Sequence, residues 1–201
     1  MSRWKPDARR RLQDAALALY AERGFADTTA AAVAERAGLT ERTFFRYFAD
    51  KRDVLFGNED QLREVFVGAV AASPAALTPL AATAAGLRAL AVELQPRQDD
   101  QLRRARIIAA HPELRERELA KLASWSSALR ETLGERGVGA DSAALAGEVA
   151  LAVFRVAFRR WTTQGADAEL DELVQAALDE LVGFVGRPPV GAPVEPAPPP
   201  R

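Results

Sequence analysis

Gly38 separates two short runs that read as helices, and the stretch from Gly38 to Lys51 constrains this chain more than any other part of it. Upstream, Thr28 to Ala37 is alanine-rich and free of breakers, which predicts a short helix ending on the glycine. Downstream, Thr40 has the hydroxyl of a helix cap, and Glu41, Arg42 and Thr43 follow it in the first turn. Phe44 and Phe48 lie one turn apart and can anchor this second helix in a core, leaving its other face free. Small side chains on the first helix allow a close crossing. Two short helices joined by a glycine turn form the helix-turn-helix shape, whose second helix fits the DNA major groove. Arg42 can donate two hydrogen bonds to a guanine edge there, and Thr43 can meet a thymine methyl or a phosphate.

The rest of the chain reads as helix too. Leu12, Ala15, Ala16, Leu19 and Tyr20 form one apolar stripe, predicting a helix from about Pro6 to Arg23 that Gly24 ends. Asp50 reads as the cap of a fourth helix reaching Ala72, with Asp53 in its first turn. Further helices are expected from Thr78-Pro79 to Gln95-Pro96, from Asp99 to Ala110, and from His111-Pro112 to the glycines at 134–137. Asp141 reads as the cap of a helix reaching Gln164-Gly165, and a last helix covers Ala168 to Gly186. No alternating β-branched run suggests a strand, so the expected fold class is all-α, with about nine helices. From Arg187 onward, proline, alanine, valine and glycine dominate, and this tail is expected to be disordered or extended.

Several function classes are excluded or weakened. The chain has no cysteine, so disulfides, thiolate catalysis and cysteine zinc sites are impossible. Its single histidine, His111, precedes a proline and reads as a helix start with no second histidine to share a metal, so no metal site, cofactor or catalytic residue is assigned. Carboxylate–histidine pairs at helical spacing and Gly-rich phosphate loops are also missing, which argues against an enzyme. No apolar run reaches the roughly 18–20 residues of a membrane span, and the N-terminus continues into charge; a cytoplasmic protein without membrane contact is expected. Residues 1–56 carry eleven Lys/Arg against eight Asp/Glu, whereas the remainder carries sixteen against twenty. Positive charge is thus biased towards the segment that could meet DNA.

Residues from about Asp7 to Phe56 resemble the DNA-binding domain of TetR-family transcriptional regulators. The matching pieces are Leu19-Tyr20-Ala21-Glu22-Arg23-Gly24-Phe25, Thr28-Thr29 with Val33-Ala34 and Ala37-Gly38-Leu39-Thr40, and Thr43-Phe44-Phe45-Arg46-Tyr47-Phe48 with Lys51. The resemblance implies a helix-turn-helix domain at 1–56, an effector-binding and dimerisation domain at 57–186, and the tail at 187–201. It implies that Thr29, Tyr47 and Lys51 contact phosphates, with Arg46 beside them, while Thr40, Glu41, Arg42 and Thr43 meet the groove. Phe45 departs from the family's usual tyrosine and is expected to pack instead. Ala31 replaces a common polar contact, so the second helix should read little sequence.

In the helix expected at 141–164, Phe154, Phe158 and Trp161 form one apolar face and Val149, Val153 and Val156 another. Periodicity alone leaves such a helix either central to its own domain or shared with a second subunit. The family resemblance favours the second, placing Phe154, Phe158, Trp161 and Leu178 of the last helix at a homodimer interface. The middle region resembles a C-terminal subgroup that includes mycofactocin regulators, associated with acyl-CoA-like effectors. Arg103, Arg104 and Arg106, beside Ile108 and Trp125, are the candidate effector residues, with a solvated charged helix face as the competing reading. The expected function is a ligand-responsive regulator, a repressor that binds a palindromic DNA operator as a homodimer and releases it on binding a small lipophilic effector, an acyl-CoA being the candidate. The alternative is an all-helical protein-interaction adaptor without DNA binding.

Overall fold

The computed structural model describes residues 8–164 and 168–185, and among these it is helical without a strand. Nine α-helices run in order: α1 Ala8–Arg23, α2 Ala30–Arg36, α3 Glu41–Tyr47, α4 Glu59–Ala72, α5 Pro79–Leu94, α6 Gln98–Ala110, α7 Pro112–Glu135, α8 Ala140–Gln164 and α9 Leu170–Val185. The start expected at Pro6 and the tail at 187–201 lie outside the described residues.

Local chemistry sets most helix ends. The Thr29 hydroxyl accepts from the Ala32 amide at 3.1 Å, Thr40 from Thr43 at 3.2 Å, and Thr78 from Ala81 at 3.2 Å. Each satisfies an amide that its helix leaves without a carbonyl. Gly38, at φ 63°, closes α2: the Leu39 amide reaches back to the Ala34 carbonyl and the Gly38 amide to Glu35. This left-handed cap is strained for any residue with a Cβ.

The fourth helix does not begin where the sequence placed it. Asp50 accepts from the amides of Arg52 and Asp53 and thereby caps a 3-10 turn, Asp53–Phe56; α4 starts only at Glu59. Gly57 marks the break, and a Cβ there would meet the Phe48 ring at 2.7 Å. Wound more tightly than an α-helix, the turn buries three consecutive residues, Val54, Leu55 and Phe56. At α8 the correction is smaller: the helix starts at Ala140, the Gly139 carbonyl accepts the Ala143 amide, and Asp141 sits in the first turn.

Two apolar clusters form. One gathers α1, α2, α3 and the 3-10 turn, together with Ile107 and Ile108 of α6 and Leu114 of α7. The other joins α4, α5, α7, α8 and α9 around Leu87, Leu129 and Trp161. The end of α6 and the start of α7 thus dock against the N-terminal helices, and Ile108, read from sequence as an effector residue, is a core residue of that junction.

Candidate DNA-reading helix and junction cavity

Phe44 of α3 and Phe48 at its C-cap are completely or nearly completely buried, which fixes the helix and turns Glu41, Arg42, Phe45 and Arg46 outward. Thr40 and Thr43 share a hydrogen bond at 2.9 Å at the helix start. The Arg46 guanidinium lies 4.9 Å from the Tyr47 ring centroid and donates to its hydroxyl at 3.1 Å, so the two form one polar unit. Phe45 is 53% exposed, with its ring edge-on to Phe44. The packing role expected for it is not what the structure shows: an apolar ring sits on the face that the groove would meet. Thr29 at the N-cap of α2 and Ala31 on the helix are exposed.

Lys51 is held by carbonyls of the same chain. Its ammonium donates to the carbonyls of Phe25, Ala26 and Thr28 at 2.8–3.0 Å and stands 4.8 Å from the Phe25 ring centroid. All three N–H donors are engaged in closing the α1–α2 turn. Tyr20 donates to the Lys51 carbonyl at 2.6 Å from the opposite side.

A separate cavity of about 80 Å³ lies where the N-terminal helices meet α7 and α8. Its wall is shared: Asp14 and Leu17 of α1, the Val54–Phe56 turn, Glu59 and Leu62 of α4, Arg104 of α6, Glu118, Lys121 and Trp125 of α7, and Phe154 and Phe158 of α8. Two sets of residues assigned to different roles from sequence therefore meet here. Phe154 and Phe158, expected against a partner, line the same space as Arg104 and Trp125. The other two expected partner residues fill the subunit's own core: Trp161 is fully buried with its indole N–H on the Ala168 carbonyl at 3.1 Å, and Leu178 is buried beside it in the same cluster. Of the three candidate arginines only Arg104 faces inward, whereas Arg103 and Arg106 are exposed. Successive residues on a helix point about 100° apart, and the docking of α6 decides which one is enclosed.

Sequence reasoning missed the group that dominates this wall. The Glu118 carboxylate is shared by two cations: Arg104 at 2.5 Å and Lys121 at 3.0 Å to each oxygen. Arg104 also donates to the Leu55 carbonyl at 2.6 Å, tying the 3-10 turn to α6. Arg104, Arg117 and Lys121 all stand within 5.9 Å of the Phe56 ring centroid, and Arg117 pairs with Asp53 at 2.6 Å. Burial by itself would raise the Glu118 carboxyl, but the charges of Arg104 and Lys121 and their hydrogen bonds bring it down to about 2. Lys121 moves to about 8 because burial and the Arg104 charge outweigh its attraction to a carboxylate it must share. A signal was present: Glu118 and Lys121 fall on the stripe of Leu114, Leu122 and Trp125, so charges interrupt an otherwise apolar face.

The family described as bacterial regulatory proteins, tetR family, matches residues 12–57, and the MftR C-terminal domain matches residues 77–185. The regulator TcmR of Streptomyces glaucescens is 30% identical over 179 residues, covering 83% of this chain and 79% of that protein. The chain belongs to the TetR family. It is accordingly a DNA-binding transcriptional regulator, and its relatives are regulators rather than enzymes. MftR of Mycobacterium tuberculosis, a mycofactocin biosynthesis regulator by name, is 26% identical over 171 residues, 84% of this chain and 86% of that one. Among solved structures, the regulator FadR of Bacillus subtilis in complex with stearoyl-CoA shares the fold at a TM-score of 0.62, with 19% identity over 86% of this chain and 97% of the other. Among the described residues no helix is long and apolar enough to cross a membrane, and no cluster of His, Asp or Glu could hold a metal.

Proposed function

We propose that this TetR-family regulator is a homodimeric repressor whose affinity for a palindromic operator falls when a small lipophilic effector occupies the junction cavity. The observation that carries the reading is the shared wall: a molecule in that space touches α1 and the 3-10 turn on one side and α7 and α8 on the other. Residues 1–56 act as the reader and 57–186 as the effector-binding and dimerising unit. Arg42, with Thr40, Glu41 and Thr43, addresses base edges, and Thr29, Arg46 and Tyr47 address phosphates. Lys51 contributes by fixing the α1–α2 turn from which these groups project.

At about 80 Å³ the cavity has room for a handful of waters, whereas small-molecule pockets commonly measure about 300–1,000 Å³. Effector binding therefore requires the wall to open, and an opening that displaces the 3-10 turn alters the pose of α1 and α3. In a dimer this shifts two recognition helices away from the roughly 34–36 Å spacing of successive major grooves. The effector must bind the released form more tightly than the DNA-bound form. The stearoyl-CoA of the FadR complex supports a long-chain acyl compound as the first candidate. For the dimer surface, the outer side of α8 and α9 leaves Leu145, Ala152, Ala176 and Val182 exposed, and these replace the four residues chosen from sequence.

Footprinting on the DNA upstream of the chain's own coding region tests the reading, followed by anisotropy titration of that operator with acyl-CoAs and free fatty acids of increasing chain length. A protected palindrome released in a chain-length-dependent way is the expected result. Absence of any protected site, or release indifferent to every lipophilic compound, would reject it.

A further inference from the structure

The wall of the junction cavity holds two unmet demands side by side. The first is a hydrogen-bond donor. Trp125 is 3% exposed and lines the cavity, yet its Nε1–H has no partner among the described residues. The other fully enclosed indole, Trp161, is paired to a carbonyl, so the fold can satisfy such a group where it is free to do so. A buried donor left unpaired costs free energy that a ligand acceptor would recover.

The second demand is charge. Lys121, whose ammonium lies 5.3 Å from the Trp125 ring centroid, and Arg104 share the single carboxylate of Glu118. The Lys121, Arg104 and Glu118 side chains are 9%, 12% and 22% exposed. Taken by itself this enclosed triad carries one positive charge in excess, which the less buried carboxylates of the wall, Asp14, Glu59 and Asp100, meet only without an ion pair. Glu59, also on the cavity wall, makes no ion pair with either cation; its charge attracts Lys121 from a distance, and burial raises its carboxyl above the ordinary value. Arg117 is already matched by Asp53. The apolar rings of Phe154 and Phe158 line the same cavity.

An unpaired donor beside the surplus cation of the triad, in a cavity that apolar rings also line, is the complement of an apolar body ending in a single anionic oxygen acid. We infer that the ligand of this cavity is a free carboxylic acid whose carboxylate accepts from Trp125 Nε1 and pairs with Lys121, the chain or ring system lying against Phe154 and Phe158. This rests on the reading of the cavity as the effector site and narrows it. A nucleotide thioester presents a neutral carbonyl at this depth and carries its phosphates far from it, and the exposed Arg103 and Arg106 lie on the outer side of α6. The enclosed surplus charge fits the acid better than the thioester.

The experiment compares decanoate and 2-naphthoate with their methyl esters and with decanoyl-CoA, using calorimetry for binding and operator anisotropy for release. Wild-type protein, Trp125→Phe and Lys121→Met are used, and thermal melting of each variant confirms a folded chain. At least one acid should bind and its ester should bind at least tenfold more weakly, as expected for a lost charge-assisted contact of about 1.5–3 kcal/mol. Trp125→Phe keeps the ring and removes only the donor; it should weaken the acid by about tenfold and leave the ester unchanged, and Lys121→Met should abolish the preference for acid over ester. Equal binding of acid and ester, binding of decanoyl-CoA alone, no binding by either acid, or an acid affinity unmoved in both variants would each overturn the inference. Acid binding with the expected variant pattern but without operator release would sustain it and instead reject the effector-release reading. Release by decanoyl-CoA alone would do the reverse.

Discussion

Replacing Glu118 by Gln removes the carboxylate that Arg104 and Lys121 share, and the structure sets the size of the effect. The Glu118 carboxyl ionises at about 2 in the folded chain against an ordinary 4.5. At about 1.4 kcal/mol per pH unit, its charge contributes on the order of 3 kcal/mol. The cations give a second route to the number. Lys121 ionises at about 8 rather than 10.5, so keeping it charged at pH 7 already costs roughly 3 kcal/mol. Without Glu118 that cost grows by only about 1–2 kcal/mol before the lysine sheds its proton. Arg104 cannot shed a proton; it keeps the Leu55 carbonyl but loses charge-assisted bonds worth about 1.5–3 kcal/mol. Glu118→Gln should therefore lose about 3–4 kcal/mol, read as a fall in the urea midpoint at unchanged slope by circular dichroism. Lys121→Met leaves the Arg104–Glu118 pair balanced and relieves a buried cation, so it should cost nothing and gain up to about 2 kcal/mol. A Glu118→Gln loss below about 1 kcal/mol, or a Lys121→Met loss larger than it, would refute the view of a triad with one cation in excess.

Acid titration extends the same argument. The unfolded chain takes up the Glu118 proton near 4.5 and the folded chain only near 2, so this contribution is complete above 4.5 and vanishes as the pH falls towards 2; Glu118→Gln should flatten that limb of the stability curve. Lys121 acts at the other end: the unfolded chain holds its proton up to 10.5, so stability should rise with pH between about 8 and 10.5, a rise that Lys121→Met removes. Arg42→Ala should weaken the preferred operator by roughly 1–3 kcal/mol and relax preference at one base pair, whereas equal discrimination before and after would remove Arg42 from that role. Lys51→Ala should weaken all DNA sequences alike and also lower stability, since three carbonyls lose their donor; unchanged melting would return Lys51 to a phosphate contact alone. Leu145→Asp with Val182→Asp should yield a folded monomer by sedimentation, because both side chains are exposed in the subunit, while Trp161→Asp should unfold the chain.

Much of the N-terminal part was legible in the sequence because its signals are local. A threonine hydroxyl needs only the amide three residues on, and Gly38 needs only its own φ, so the caps at Thr29 and Thr40 and the turn between them follow from the order of residues. The apolar stripes likewise predicted α1 and α5 through α9 to within a residue or two wherever the chain is described. Periodicity says that a stripe is covered, not by what. Phe154, Phe158 and Trp161 therefore read as one face, yet the packing of α7 and α9 against α8 puts two of them on a cavity wall and seals the third in the core. Consecutive arginines carry the same chemistry, and only the docking of α6 against the 3-10 turn chose Arg104 over Arg103 and Arg106. Lys51 looked like a free cation until three carbonyls from the α1–α2 turn converged on it. The charge balance around Glu118 depends on residues from α6 and α7 meeting at one carboxylate, with the Leu55 carbonyl of the 3-10 turn holding Arg104 in place. Such sums over segments distant in the chain exist only once the helices have packed, because electrostatic and desolvation energies depend on separations and burial that local sequence does not fix.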